Sequence, residues 1–262
     1  MAYSEITTRT YVEKRFPNGT SLEHERLIQD WLTKPQQAEG IADDFEKRVG
    51  PINGLRVLDA GSGNGGISIA FAARGAEAEG VDIEEELVAI AKAEAKAIGS
   101  TANFQWYEGT TLPFPDEYFD AAISVSVLEH VTDPVNYLSQ ILRVMKPGGV
   151  LYFAFPNRLR PKETHTGLWF LSYLPMPLAA WYARAAKHNP LEDNNLHFYS
   201  YWAGRRMIAN AARDGKKWVV RKEEGASKKP LKVFIKSALR ALGLPHQAFL
   251  PHVMLILEAQ KT

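Results

Sequence analysis

Asp59, Gly61, Gly63 and Gly66 follow one another in VLDAGSGNGG, and a second carboxylate, Asp82, lies further on in GVD. Glycines lack a Cβ, so a ligand can come close to the backbone of a turn built from them. By itself G-x-G-x-x-G marks dinucleotide sites, other nucleotide-cofactor sites and chance matches alike. The acids discriminate between these. Asp59, ahead of the first glycine, would repel a pyrophosphate but attract an ammonium group. Asp82 can accept hydrogen bonds from both hydroxyls of a ribose, which either class of ligand offers. Three histidines could take a proton from an acceptor: His130 in VLEHV, His165 between two threonines, and His197 before Phe198-Tyr199. A positioned imidazole is worth typically about 10²–10⁴-fold to an alcohol or phenol, whereas a neutral amine needs no base. Each histidine has a plainer reading too: His130 as a structural link between loop and helix, the others as surface residues.

These residues need elements to hold them. From Leu55 short apolar runs alternate with helical stretches, the signature of βαβ units on a parallel sheet. LRVLD reads as strand one, with a helix over 67–73, strand two over 78–82 and a helix over 84–98 ended by Gly99. Strands three and four follow at 103–107 and 121–125. Asp133-Pro134 caps and opens a helix carrying Val135, Leu138, Ile141, Leu142 and Met145. Pro147-Gly148-Gly149 then turns into strand five, VLYFAF. Asp59 and Asp82 thus fall at consecutive strand ends, where open α/β sheets bind ligands. Two helices over 21–34 and 36–49 precede this core. After Pro156 come aromatics and prolines; 167–183 holds no charge, and Pro175 and Pro177 would break a continuous helix. This insertion reads as a small core of its own, or as a hinged lid over an apolar acceptor. A helix near 201–212, a strand at 218–221, a basic helix near 229–242 and the strand HVMLILEA complete the pattern. The domain boundaries expected are 1–50, 51–156, 157–199 and 200–262.

The chain has 262 residues, a formal net charge of +1 and no cysteine. That excludes disulfides, thiolate nucleophiles and Cys-ligated zinc, and gives no general pull toward nucleic acid. No signal-peptide pattern and no stretch of about 20 apolar residues is present, so the expected location is cytoplasmic. Lys228, Lys232, Lys236 and Arg240 share one face of the basic helix. Such a face usually meets solvent, and the sharper reading is peripheral contact with an anionic membrane.

VLDAGSGNGG, GVDIEEELVAIA, LPFPDEYFDAAISVSVLEHVTDP and ILRVMKPGGVLYFAFPN together resemble the successive motifs of class I S-adenosylmethionine (SAM)-dependent methyltransferases, of the methyltransferase-11-like group. The likeness covers roughly residues 50–157. It implies an α/β, Rossmann-like three-layer sandwich with a mostly parallel seven-stranded sheet, N-terminal helices and an inserted cap after strand five. It implies SAM as cofactor, with Asp59, Gly61, Ser62, Gly63, Asn64 and Gly65 at the methionine end and Asp82 on the ribose. Ile83 would cover one adenine face, Glu108-Gly109 would reach the adenine amino group, and Ser126-Val127 would line the wall beneath the sulfonium. The group usually shows Gly-Asp where this chain has Tyr107-Glu108. Ubiquinone-pathway O-methyltransferases resemble the LEHV segment and use an acid, then Glu-His, as a metal site. Here Ser126 replaces the earlier acid, so no metal is expected.

The function implied is methyl transfer to an oxygen or nitrogen of a small or lipid-linked molecule by in-line displacement, with His197, His165 and His130 as candidate bases. An NAD-dependent oxidoreductase and a non-catalytic SAM-fold binding subunit are the alternatives. No Asn-Pro-Pro-Tyr-type tetrapeptide points to nucleic acid; Phe155-Pro156-Asn157-Arg158 occupies that neighbourhood. The sequence sets no oligomeric state.

Overall fold

The computed structural model describes residues 5–15, 21–186, 196–212, 215–221, 243 and 245–261. Seven strands form one sheet in the order β3-β2-β1-β4-β5-β7-β6: β1 (Arg56–Ala60), β2 (Glu77–Asp82), β3 (Asn103–Trp106), β4 (Phe119–Val125), β5 (Met145–Pro156), β6 (Lys216–Val220) and β7 (His252–Lys261). β1 pairs in parallel with β2 and β4, and β2 with β3, while β7 runs antiparallel to β5 and β6. This is the mostly parallel α/β sheet expected. By contacts the chain divides into two compact units, Met1–Phe114 with Tyr118–Ile123, and Pro115–Glu117 with Ser124–Thr262.

In the first unit, β1 is buried at Val57, Leu58, Asp59 and Ala60, as a strand covered on both faces must be. Four helices follow the expected rhythm: α2 (Ser21–Leu32), α3 (Lys34–Arg48), α4 (Gly66–Ala72) and α5 (Glu85–Ala97). An additional helix, α1 (Glu5–Arg15), was not anticipated. Its stretch EITTRTYVEKR is polar and rich in β-branched residues, so neither apolar periodicity nor propensity announces it. Tertiary packing settles it: Tyr11 and Val12 of α1 are buried with Ile28 and Leu87 in a cluster flanked by Leu27, Trp31 and Ile90.

In the second unit, Asp133 caps α6 (Pro134–Val144) by accepting the Asn136 N–H at 3.0 Å, as its sequence announces. β5 begins at Met145 rather than after the glycine pair, and its register with β7 starts at Val150↔Glu258. Beyond β5, buried Asn157 donates from Nδ2 to the carbonyls of Ala248 and Leu250, both at 2.8 Å, tying the strand end to the segment before β7. The apolar insertion has a small core of Leu171, Ala179, Ala183 and Leu196 around α7 (Met176–Ala185), which opens at the prolines. α8 (Tyr201–Asn210) is capped by Ser200. The basic helix expected over 229–242 lies outside the described residues.

Candidate active site

In the first unit the turn after β1 carries Gly61, Gly63 and Gly65 at φ of 82°, 53° and 86°, a region other residues rarely adopt. At Gly65 a Cβ would stand 2.7 Å from Phe104 Cζ and 2.8 Å from Ala91 Cβ, so the turn lies directly on β3 and α5. Asp82 clamps this turn. Its Oδ2 accepts the Gly63 N–H at 2.8 Å and its Oδ1 accepts the Glu84 N–H at 3.0 Å. A carboxylate offers about four acceptor positions, so two remain for a pair of hydroxyls. Burial raises the pKa of Asp82, against the hydrogen bonds from Glu84 and Gly63.

Asp59, 2% exposed, has a partner the sequence did not reveal: its Oδ2 accepts both the N–H and the Oγ–H of Ser68, at 3.1 and 2.8 Å. It therefore secures the first turn of α4. Burial pushes its pKa up to about 6, Ser68 pulls it down and Asp82 adds to the rise. The Oγ of buried Ser62 has no hydrogen-bond partner, and among the described residues only Glu129 shares that condition. An orphaned buried hydroxyl inside a glycine turn calls for a ligand with polar groups.

Ile83 is 56% exposed, and a Cβ on Gly109 would stand 3.2 Å from Ile83 Cγ2, so these two expected residues meet. Asn64 is buried and Gly61 half-buried in the turn. Glu108 is exposed, its Oε1 held by Thr110 Oγ and the Thr111 N–H. Sequence reasoning passed over three neighbours. Trp106 donates its indole N–H to the Ile83 carbonyl at 2.8 Å. Tyr11 donates its hydroxyl to Glu84 at 2.9 Å, and its ring lies 4.7 Å from that of Trp31 at a tilt of 31°. Lys34 lies over the Trp31 ring at 4.6 Å; burial lowers its pKa while Asp82 and Asp30 oppose that. Tyr11 lies on α1, which had no sequence signal, and Lys34 and Trp106 stand at the first residue of α3 and the last of β3, where spacing alone does not single them out.

In the second unit, Ser126 takes φ of 56° after β4 and donates its N–H to the Ala154 carbonyl, followed by half-buried Val127 and a 3₁₀ turn, Leu128–His130. All three candidate histidines gather around that turn. His165 Nε2 is 3.8 Å from Glu129 Oε1, the His130 and His165 rings meet edge to face at 5.2 Å, and His197 donates its N–H to the Glu129 carbonyl at 2.7 Å. Glu129 is 2% exposed with neither oxygen hydrogen-bonded. Burial pushes its pKa up to about 7, only partly offset by its own amide and by His165. Glu163 behaves oppositely: burial would raise it, but hydrogen bonds from the side chain and amide of His165 and from Thr166 hold it at about 2. A cavity of about 10 Å³ is lined by Glu129, Glu163, His165, His197 and Arg158 among others.

A glycine turn and two carboxylates at the carboxyl ends of parallel strands define a nucleotide-cofactor-binding α/β protein. Residues 58–153 match the methyltransferase domain family model. A ubiquinone biosynthesis O-methyltransferase of Xylella fastidiosa is 33% identical over 187 residues, covering 64% of this chain and 74% of that protein. One of Cereibacter sphaeroides is 32% identical over 148 residues, 54% of this chain and 60% of its own length. The fold resembles magnesium protoporphyrin IX methyltransferase from Synechocystis, solved with bound SAH, with a TM-score of 0.56 at 16% identity over 95% of this chain and 92% of that one. A SAM-dependent methyltransferase from Mesorhizobium loti gives 0.55 at 15% identity over 82% and 96%. The chain belongs to the class I SAM-dependent methyltransferases.

Proposed function

We propose that the chain is a SAM-dependent O-methyltransferase acting on a hydroxyl of a small molecule. The observation that carries this reading is the 33% identity over 187 residues to a protein named ubiquinone biosynthesis O-methyltransferase, because the alignment runs to twice the length of the family-model match. SAM supplies an activated methyl group on its sulfonium. The acceptor oxygen attacks that carbon in line, the C–S bonding pair returns to sulfur and the hydroxyl proton leaves. Positioning and exclusion of water then supply much of the rate. In this reading Asp82 holds the ribose hydroxyls, Ile83 and Gly109 bound the adenine, and Asp59 with residues 61–65 receives the methionine end. Among the histidines, His165 and His197 are the better candidates for the acceptor proton, since both lie in the segment after β5 and come against the turn that carries Glu129.

A lipid-linked acceptor is the finer part of the proposal. It is supported by the insertion's surface, where Trp169, Phe170, Leu178 and Trp181 are 54–68% exposed. Such a concentration of exposed apolar side chains marks an interaction surface. Incubation with SAM and host metabolite and lipid extracts, followed by mass spectrometry, is expected to find an acceptor that gains one CH₂ in the lipid fraction. Methylation of amines alone would refute the oxygen assignment, and failure to float with liposomes at low salt would refute the membrane contact.

A further inference from the structure

We propose that Arg158 and Arg160 form a binding site for a carboxylate carried by the methyl acceptor, which makes the substrate class a hydroxylated carboxylic acid. The site stands on side-chain geometry; its assignment to the acceptor rests on the O-methyltransferase reading.

The two arginines stand two positions apart in the turn that leaves β5. That turn is fastened on several sides. Asn157 accepts the Leu159 N–H on Oδ1 at 3.1 Å and the Arg160 N–H on its carbonyl at 2.9 Å, and the Arg158 N–H is donated to the Tyr199 carbonyl at 2.8 Å. The side chains are held as well. Arg158 donates its Nε–H to the Ser172 carbonyl at 2.8 Å, and buried Ser172 returns its hydroxyl to the Arg158 carbonyl at 2.8 Å. Arg160 donates from Nη1 to Thr164 Oγ1 at 3.1 Å. Guanidinium groups fixed before a ligand arrives lose less freedom when it binds.

Charge points to the kind of ligand. Arg56, Arg74, Arg143 and Arg221 each meet an Asp or Glu oxygen within 3.1 Å. Half-buried Arg158 and Arg160 have no acidic partner among the described residues, and both Nη groups of Arg158 are left without a hydrogen bond there. Both arginines line the cavity that Glu129 and Glu163 also line. Those acids are engaged elsewhere. Glu163 accepts from the amide and ring of His165 and from the N–H and hydroxyl of Thr166, while Glu129 faces His165 Nε2 at 3.8 Å. His252 registers the surplus of positive charge: partial burial first, then Arg160 and His165, hold its pKa below the usual imidazole value. Sheltered charges are stable when paired, so this pair of cations calls for an anion.

A guanidinium fork matches the two oxygens of a planar carboxylate. The cavity has about 10 Å³, room for roughly one water-sized sphere. It takes a carboxylate oxygen and leaves the body of the acceptor outside, whereas a tetrahedral phosphate is bulkier than that space.

The test begins without SAM, as calorimetric titration of the full chain with benzoate, with inorganic phosphate, and with benzyl alcohol as an uncharged counterpart. One equivalent of benzoate is expected to bind more tightly than phosphate, and benzyl alcohol should not displace it. Arg158→Gln and Arg160→Gln should each weaken benzoate by about 10–100-fold. Near-UV circular dichroism separates ligand loss from misfolding, and Arg160→Gln, which gives up a bond to exposed Thr164 alone, decides the matter if Arg158→Gln does not fold. No bound benzoate, tighter binding of phosphate, or affinity unchanged in the folded variants overturns the site. In the extract screen the compound that gains one CH₂ should carry a carboxylate, and Arg160→Gln should raise its KM at least about 10-fold. A methylated hydroxyl compound with no carboxylate overturns the inference and leaves the O-methyltransferase reading in place. Benzoate binding with no hydroxyl compound methylated removes that reading, and the assignment to the acceptor with it.

Discussion

At the scale of single residues, the two strand-end carboxylates do different work. Asp82 accepts a backbone N–H on each oxygen, from Gly63 on Oδ2 and from Glu84 on Oδ1. Hydrogen bonds to a charged group are worth about 1.5–3 kcal/mol, so Asp82→Ala should weaken SAM binding by roughly 10–100-fold, measured by calorimetry. Asp59 is buried against Ser68 with a pKa near 6, against an ordinary 3.8. The folded chain therefore favours the protonated form, and that stabilisation fades as pH rises through about 6. Between pH 7 and pH 5 the apo-protein should gain about 1 kcal/mol from this group, read from denaturant midpoints. Asp59→Asn should remove that part of the dependence. Glu129, with its raised pKa of about 7, contributes in the same direction, whereas Glu163, held at about 2, acts only at lower pH.

At the scale of elements, close approach explains glycines that the fingerprint alone leaves as mere spacing. A Cβ at Gly80 in β2 would stand 2.6 Å from Phe104 Cδ1 and 2.8 Å from Ser68 Oγ, the hydroxyl that holds Asp59. Gly65→Ala adds unfavourable φ to the same Phe104 clash. Overpacking of this kind costs typically about 1–3 kcal/mol, and a strained backbone adds a similar amount. Thermal unfolding should thus place Gly65→Ala below Gly80→Ala in stability, and both below the parent. In the second unit Gly204 of α8 lies 2.5 Å, measured from an added Cβ, from Phe155 Cζ of β5. Gly204→Ala should lower the melting temperature without changing SAM affinity; an unchanged melting temperature would show that Phe155 yields freely.

At the scale of the whole molecule, a ligand that binds the folded chain alone raises its stability by mass action. SAM at 100 times its Kd should contribute about 2.7 kcal/mol, which for a chain of this size shifts the melting temperature by roughly 5–10 °C. NADH at the same concentration should leave it unchanged. The reverse result would return the glycine turn to the dinucleotide reading that its spacing equally permits.

The sequence determined the alternation of strands and helices, the ends of β1 and β2 and the residues placed on them. These follow from local chemistry: apolar runs, caps and glycines act over a few neighbours and can be read in order. It could not announce α1, whose polar stretch becomes helical through Tyr11 and Val12 packing on other helices. Nor could it show that Asp59 turns to Ser68, that Ser62 and Glu129 lose their polar partners to burial, or that His165, thirty-odd residues past Glu129, comes to 3.8 Å of it. Solvent exclusion and contacts between distant segments decide those features, and both exist only once the chain has folded.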